Sequence, residues 1–407
     1  MSAKTKNILL SLILIGLTAL VFLPSLFNQI THWDDQFMLT DNKLVAKLTP
    51  AGIKEIFSSF TNGSYVPLTI LSYAVEFKFF RFNPLAYHTT NLILHILNVL
   101  LVFWLLRLIT KETLVAFITA LLFAVNPLKV ESVAWISARK DLLFSFFFLS
   151  SAITYLYYIR QDRRNPLGHL GSFVLFLLSI LAKPQAMVLP IVLVALDYFH
   201  DPKTWKKHLI SKFSFIGVAV ISLIVGHSSL TPYLADQTFY GHFGPLDKLL
   251  LTVYSVFFYI GQTLVPIHIC CLYPYPLKVS GVFPWGVYLS PFLLGFIIFL
   301  IYRKFKEDNI FILALSLFAI TLALPLTNIW LGGYFASDRY MYLPSIGLFL
   351  ALVHCAIRYG KTKLGAFRQW NIILLVIYIL FLSVLSLSKC FVWRNDVTLW
   401  SDVLDLF

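Results

Sequence analysis

The sequence predicts an all-α fold, a polytopic membrane helical bundle of about eleven transmembrane helices, the fifth and sixth of them short. Three observations carry this. Of 407 residues, 59% are hydrophobic and 13% charged, with a mean hydropathy of +0.80, more apolar surface than a soluble core hides. Uncharged stretches of ~18 residues or more, enough to cross ~30 Å of hydrocarbon as a helix, recur along the whole chain. The basic residues also fall in alternate connections rather than evenly.

The spans read near 8–27, 88–108, 113–126, 141–159, 168–182, 185–199, 209–229, 286–302, 309–326, 340–357 and 371–388. The first exceeds the ~7–15-residue core of a signal peptide and lacks a small-residue cleavage site, so it reads as an uncleaved helix. With the N-terminus cytoplasmic, the inner connections hold Lys4/Lys6, Arg107/Lys111, Arg160/Arg163/Arg164, Lys203/Lys206/Lys207/Lys212, Arg303/Lys304/Lys306 and Arg358/Lys361/Lys363/Arg368. Every short basic cluster then lies inside, as the positive-inside rule requires. The net charge of +13 is topological on this reading and calls for no nucleic-acid partner. The stretch 246–269 breaks the parity if it spans; its Gln262 and Pro266 suit a re-entrant or interfacial helix lying against protein. The expectation is a multi-pass protein of the cell's inner membrane with its C-terminus on the outer, periplasmic side. Four cysteines are too few and too badly placed for a disulfide framework.

The first outer loop, 28–87, is longer than a connector needs. Within it "LTPAGIKEIFSSF" reads as an amphipathic helix: Thr49 as N-cap, Pro50 in the first turn, and Ile53, Ile56, Phe57 and Phe60 at i, i+3, i+4, i+7. Asn62-Gly63 ends it, and a second apolar-faced segment follows Pro67 through Leu71, Ala74 and Val75. Both are expected on the outer leaflet. Ahead of them stand two adjacent carboxylates, Asp34 and Asp35.

Other ionisable residues gather on the same predicted side. Lys129, Glu131, Arg139, Lys140 and Asp141 occupy the next outer loop, with Lys183, Asp338 and Arg339 further on. Charges at a membrane boundary pair, line a wet cavity or bind charged lipid parts. Each has a plainer reading: Lys140 and Lys183 as snorkelling side chains, Arg139 in a salt bridge with Glu131 or Asp141, Asp338-Arg339 as a helix cap, and Asp34-Asp35 as a turn or N-cap. The stripe His88, Asn91, His95, Asn98 lies on one face of the second span and reads as interhelical hydrogen bonding. No zinc spacing, phosphate-cradling glycine loop or nucleophile elbow occurs.

Carboxylates and cations at one membrane boundary suit a lipid whose phosphate sits at headgroup depth. Arginine holds phosphate oxygens directionally. If that lipid carries a sugar, the phosphate leaves without protonation, and one carboxylate suffices as general base for an acceptor hydroxyl. A single displacement of this kind inverts the anomeric carbon.

The residues that carry a family resemblance are "WDD" at 33–35, "YVPLTILSYAVE" at 65–76, "YHTTNLILHILN" at 87–98 and "NPLKVESVAWISARKDLL" at 126–143. "AKP" at 182–184, "DRYMYLPSIGL" at 338–348 and "WRNDVTLW" at 393–400 complete the series. In this order the chain resembles the GT-C class of polytopic glycosyltransferases, and more closely the bacterial relatives of the transmembrane-and-tetratricopeptide O-mannosyltransferases. The resemblance implies that Asp34 and Asp35 are catalytic. It places Glu131 at a second outer acidic position, joined by Asp141, and Arg139, Lys183 and Arg339 at lipid-phosphate-binding positions. It implies a polyprenyl-phosphate sugar donor, with mannose the candidate sugar, and a hydroxyl acceptor on an exported protein or on an envelope glycan or lipid. Cofactor need stays open, a divalent cation at Asp34 and Asp35 included. Asn126 and Lys129 stand where histidines are common, and Lys183-Pro184 replaces a Lys-Glu pair. Residues 1–392 are expected to form the GT-C-like domain, and 393–407 the entry to a helical-repeat region that a truncated or repeat-less member would lack. The competing classes are a transporter or flippase of lipid-linked substrates and an inactive scaffold.

Overall fold

The computed structural model describes residues 2–160, 165–235, 243–331, 333–360 and 365–406, and no strand occurs among them. The helices, in chain order, are α1 (Ala3–Phe22), α2 (Pro50–Ser58), α3 (Pro67–Phe80), α4 (Pro84–Thr110), α5 (Thr113–Val125), α6 (Val130–Ala134), α7 (Arg139–Arg160) and α8 (Pro166–Ala182). They continue with α9 (Leu189–His200), α10 (Phe213–Ala235), α11 (Pro245–Leu264), α12 (Trp285–Phe305), α13 (Asn309–Leu331), α14 (Pro344–Gly360), α15 (Gly365–Val392) and α16 (Asp396–Leu406). Of the expected inner cations, Arg163, Arg164, Lys361 and Lys363 lie outside the described residues, as does the side chain of Arg368.

Among the described residues seven helices suffice by length and apolarity to cross a membrane, or eight if α5 and the segment Pro127–Ala134, bent by 62° at their break, form one span. Pro166–Ala182, Pro184–His200 and Pro344–Arg358 are apolar but no longer than 17 residues. Of the eleven expected spans, 168–182 and 185–199 already read as short and correspond to two of these, and proline is the reason for the breaks. Lys183 is extended (φ −157°, ψ 128°) because it precedes Pro184, which ends α8. Similarly α14 starts at Pro344, later than expected, and a 3₁₀ turn at Asp338–Met341 carries Asp338 and Arg339 ahead of it.

The expected outer loop between α5 and α7 is not a loop on the surface. Residues 126–139 are all buried, folded as two 3₁₀ turns around α6. Irregular backbone at this depth needs partners for its carbonyls. The α4 stripe supplies them. Asn91 donates to the carbonyls of Val133 and Trp135 at 3.4 and 3.1 Å, and His95 and Asn98 both engage the Tyr342 hydroxyl, at 2.8 and 3.1 Å. Asn98 also donates to Leu142 O at 2.9 Å. Lys129 is fully buried and donates to Met341 O and Ser345 Oγ at 2.8 and 2.7 Å, pinning the turn before α14.

The stretch 246–269 forms the 20-residue α11, with Leu251, Ser255, Tyr259 and Thr263 buried at every fourth position and Leu246 and Leu249 exposed. One inward stripe and one open face suit a helix lying against protein.

In the first loop Thr49 caps α2 by accepting from Gly52 N at 3.1 Å, and Ile56 is its buried anchor while Ile53 and Phe60 are exposed. The inward face of α3 is Ile70, Tyr73, Ala74 and Glu76, whereas Val75, expected on that face, points outward. Two long-range bonds draw α3 inward rather than leaving it on the leaflet: Thr69 to Ala182 O at 2.9 Å and Tyr73 to Ile136 O at 2.8 Å.

Candidate active site

The loop that follows α1 carries both acids, and the fold treats them differently. Asp35 is buried. One of its oxygens accepts from Thr31 N and Thr31 Oγ1, each at 3.1 Å, and the other from Ser137 N at 2.9 Å and the Ser137 hydroxyl. It thus ties its own loop to the 3₁₀ turn Ile136–Ala138. Burial pushes its pKa up, against the pull of the Ser137 and Thr31 hydrogen bonds.

Asp34 is half-buried, and one of its oxygens accepts from Asn62 Nδ2 at 3.1 Å. Among the described residues its other oxygen takes no hydrogen bond. Asn62 and Gly63 both have positive φ, 47° and 68°, in a tight turn closed by reciprocal Thr61–Ser64 backbone bonds. Asparagine tolerates this conformation; α2 ends at Ser58, ahead of the expected Asn62-Gly63 stop, and that dipeptide instead aims an amide at the acid.

Three cations and two further acids stand beyond Asp34. Glu131 is buried and paired with the Arg339 guanidinium; it also accepts from Arg339 N at 2.8 Å and the Ser337 hydroxyl at 3.0 Å. Arg339 lies over the Trp135 and Tyr340 rings, 5.1 and 5.2 Å from their centroids, and feels the charges of Asp141 and Asp34 as well. Lys183, at the break between α8 and α9, pairs with Asp141 at 2.6 Å, while the buried Asp141 Oδ2 has no hydrogen-bond partner among the described residues. Lys140 projects over the Trp135 ring at 5.6 Å with no hydrogen bond or ion pair among the described residues, and Asp34 is its strongest charge partner.

Arg139 faces the other way. Its guanidinium is fully buried, paired with Glu76, and donates to Asn91 Oδ1 and Tyr87 O, both at 2.9 Å. Tyr73 lies beneath it, 4.7 Å away. The salt bridge read from sequence exists, with Glu76 rather than Glu131 or Asp141 as partner. Its donors are taken up in joining α3, α4 and α7.

The predicted site residues therefore converge, with Arg139 one layer behind the others. Sequence reasoning missed Asn62, Glu76 and the openness of Lys140. Consecutive helical residues point ~100° apart, so an inward Arg139 by itself turns Lys140 toward the boundary. Among the described residues no cluster of His, Cys, Asp and Glu side chains has the convergence a metal ion needs.

The C-terminal segment closes the site from the side. Asn28 Nδ2 donates to Cys390 O at 3.1 Å, Gln29 N to Arg394 O at 2.8 Å, and His32 N to Asp396 Oδ1 at 2.6 Å. Trp393 stacks on Trp135 at 5.7 Å. The segment expected to open a separate repeat region is, in its first two turns, part of the frame around the acids.

A bent pair at α5 and Pro127–Ala134, an acid loop after the first helix and cations gathered at one end are what this polytopic helical fold brings together. No family model matches the sequence. The chain is 24% identical to a protein O-mannosyl-transferase of Caenorhabditis elegans, over 99% of this chain and 58% of that protein. It is 23% identical to the Homo sapiens protein O-mannosyl-transferase TMTC3, over 96% of this chain and 47% of that protein. The chain thus spans about half the length of these curated relatives. In structure it is similar to the Archaeoglobus fulgidus oligosaccharyltransferase, with a TM-score of 0.54, 16% identity, and coverage of 95% of this chain and 55% of that one.

Proposed function

We propose that the chain acts as an inverting membrane glycosyltransferase, moving a sugar from a polyprenyl-phosphate donor to a hydroxyl acceptor, with Asp34 as general base. The observation that supports this most is the contrast between neighbours: Asp35 accepts four hydrogen bonds, whereas Asp34 accepts one and keeps an oxygen open beside Lys140 and Arg339. A base needs a free lone pair within reach of the proton it takes.

The donor phosphate is held by Lys140, which makes no ion pair among the described residues, beside Lys183 and Arg339, each of which already faces one carboxylate. The acceptor oxygen attacks the anomeric carbon as its proton passes to the open Asp34 oxygen. The bond from that carbon to the phosphate oxygen breaks, and its electron pair leaves with the polyprenyl phosphate. Asp35 and Arg139 act by holding the loop and α3 in place. The O-mannosyl-transferase names of the relatives favour mannose and a protein hydroxyl, and the distribution of lysine and arginine favours the membrane face away from the basic Lys203–Lys207 connection.

The test is reconstitution in liposomes with polyprenyl-phosphate mannose and other polyprenyl-phosphate sugars, following release of polyprenyl phosphate. Asp34→Asn is expected to lose ~10²–10⁴-fold in turnover while still retaining donor. Full turnover by this variant overturns the assignment.

A further inference from the structure

A second feature lies at the opposite end of the bundle. A mainly apolar cavity of about 290 Å³ opens between α9, α13 and the connection after α9, lined among others by Ile191, Ala195, Tyr198, Trp205, Leu313 and Ile320. That is about twice the ~150 Å³ that accommodates a benzene ring in a dry protein cavity. Leu313 forms a buried floor, whereas Ile191 and Tyr198 are 57% and 49% exposed, so the groove opens sideways, toward the region a bilayer occupies.

Its mouth has a different character. Tyr198 and Trp205 meet edge-on at 6.0 Å, the amphipathic aromatics that sit at headgroup level in membrane proteins. Beside them are three exposed cations, Lys203, Lys206 and Lys207, with Lys206 5.9 Å from the Trp205 ring. None of the three makes an ion pair among the described residues. The basic partner further along, Lys212, is instead buried against Asp197. An apolar slot under an aromatic rim, with three lysines against the single neighbouring carboxylate of Asp201, which accepts from Lys203 N at 2.9 Å, has the chemistry of a lipid site: hydrocarbon below, anion above.

We propose that this groove binds one acyl chain of an anionic phospholipid from the leaflet facing the α9–α10 connection, with the phosphate at Lys203, Lys206 and Lys207. Charge complementarity selects the occupant. The positive mouth favours an anionic headgroup over a zwitterionic one by up to ~5-fold per lysine. The site is separate from the acid loop and does not rest on the glycosyl-transfer reading.

The experiment is native mass spectrometry of the purified chain with equimolar phosphatidylglycerol and phosphatidylcholine, paired with quenching of Trp205 by phosphatidylglycerol brominated on its acyl chains. The Trp205 signal is the difference between wild type and Trp205→Phe. Expected are preferential retention of phosphatidylglycerol and quenching of Trp205. Ala195→Phe, which fills the slot, is expected to abolish both, and Ile320→Trp serves as a second filling variant if the first does not fold. Lys203→Gln, Lys206→Gln and Lys207→Gln together are expected to equalise the two lipids while quenching persists. Equal retention by wild type, or unchanged retention and quenching after the slot is filled, overturns the proposal. So does displacement of phospholipid by polyprenyl phosphate, which makes the groove a donor-tail site.

Discussion

Trp33 stands edge-on to Trp400, ring centroids 5.2 Å apart, with Tyr334 at 6.4 Å on another side. The residue before the proposed base is therefore held by the first turns of α16. Such a pair is worth ~1 kcal/mol beyond its buried area. A double-mutant cycle of Trp33→Ala and Trp400→Ala on thermal stability should give a coupling of about that size. In turnover, Trp400→Phe should restore most of what Trp400→Ala loses, because an aromatic edge is what the contact needs. Full additivity sinks the idea.

The same clasp is expected to respond to pH. His32 Nδ1 lies 2.6 Å from Asp396 Oδ2, and that hydrogen bond, with the Asp396 charge, raises the His32 pKa above its ordinary 6.5; Asp41 and Asp35 push the same way more weakly. A histidine raised on folding contributes stability that is complete below its unfolded pKa and is lost as pH rises through the folded one. The loop should thus loosen above pH ~6.5, read as a change in Trp33 fluorescence. His32→Gln should flatten the profile; an unchanged profile in that variant rejects His32 as the titrating group.

Asp35 and Asp34 should fail differently. Asp35→Ala leaves the Ser137 and Thr31 donors without their acceptor and should cost about 1–3 kcal/mol of stability. Asp34→Asn should cost little stability and most of the turnover. Melting curves and turnover measured on both variants separate the two; equal melting losses contradict the division of roles.

Arg139 is predicted to be a fastener. Arg139→Met strands the buried Glu76 carboxylate and should destabilise by about 3–5 kcal/mol. The double variant with Glu76→Leu should recover much of that. No recovery indicates that Arg139 serves something other than Glu76.

Lys140→Gln should raise the donor KM by about tenfold or more, the ~1.5–3 kcal/mol of a charge-assisted hydrogen bond, with a smaller change in kcat. A fall in kcat at constant KM removes Lys140 from the ground-state phosphate contact.

Much of this architecture was legible from local pattern. Apolar runs located the helices, Thr49 and Pro50 marked the start of α2, and Asp34 and Asp35 stood out after the first span, because hydropathy, capping and proline act over a few residues. The short spans expected at 168–182 and 185–199 fall on Pro166–Ala182 and Pro184–His200, whereas α14 starts later than the expected 340, since Pro344 decides where the helix begins while apolarity continues across it.

What the sequence by itself determined is thus a helical membrane bundle with acids and cations at one boundary. Only the tertiary structure decided which acid is open, that Arg139 pairs with Glu76 at a separation of 63 residues, and that His32 meets Asp396 at a separation of 364. Those pairings follow from which helix faces meet in the packed bundle, and side-chain spacing along the chain carries no information about that.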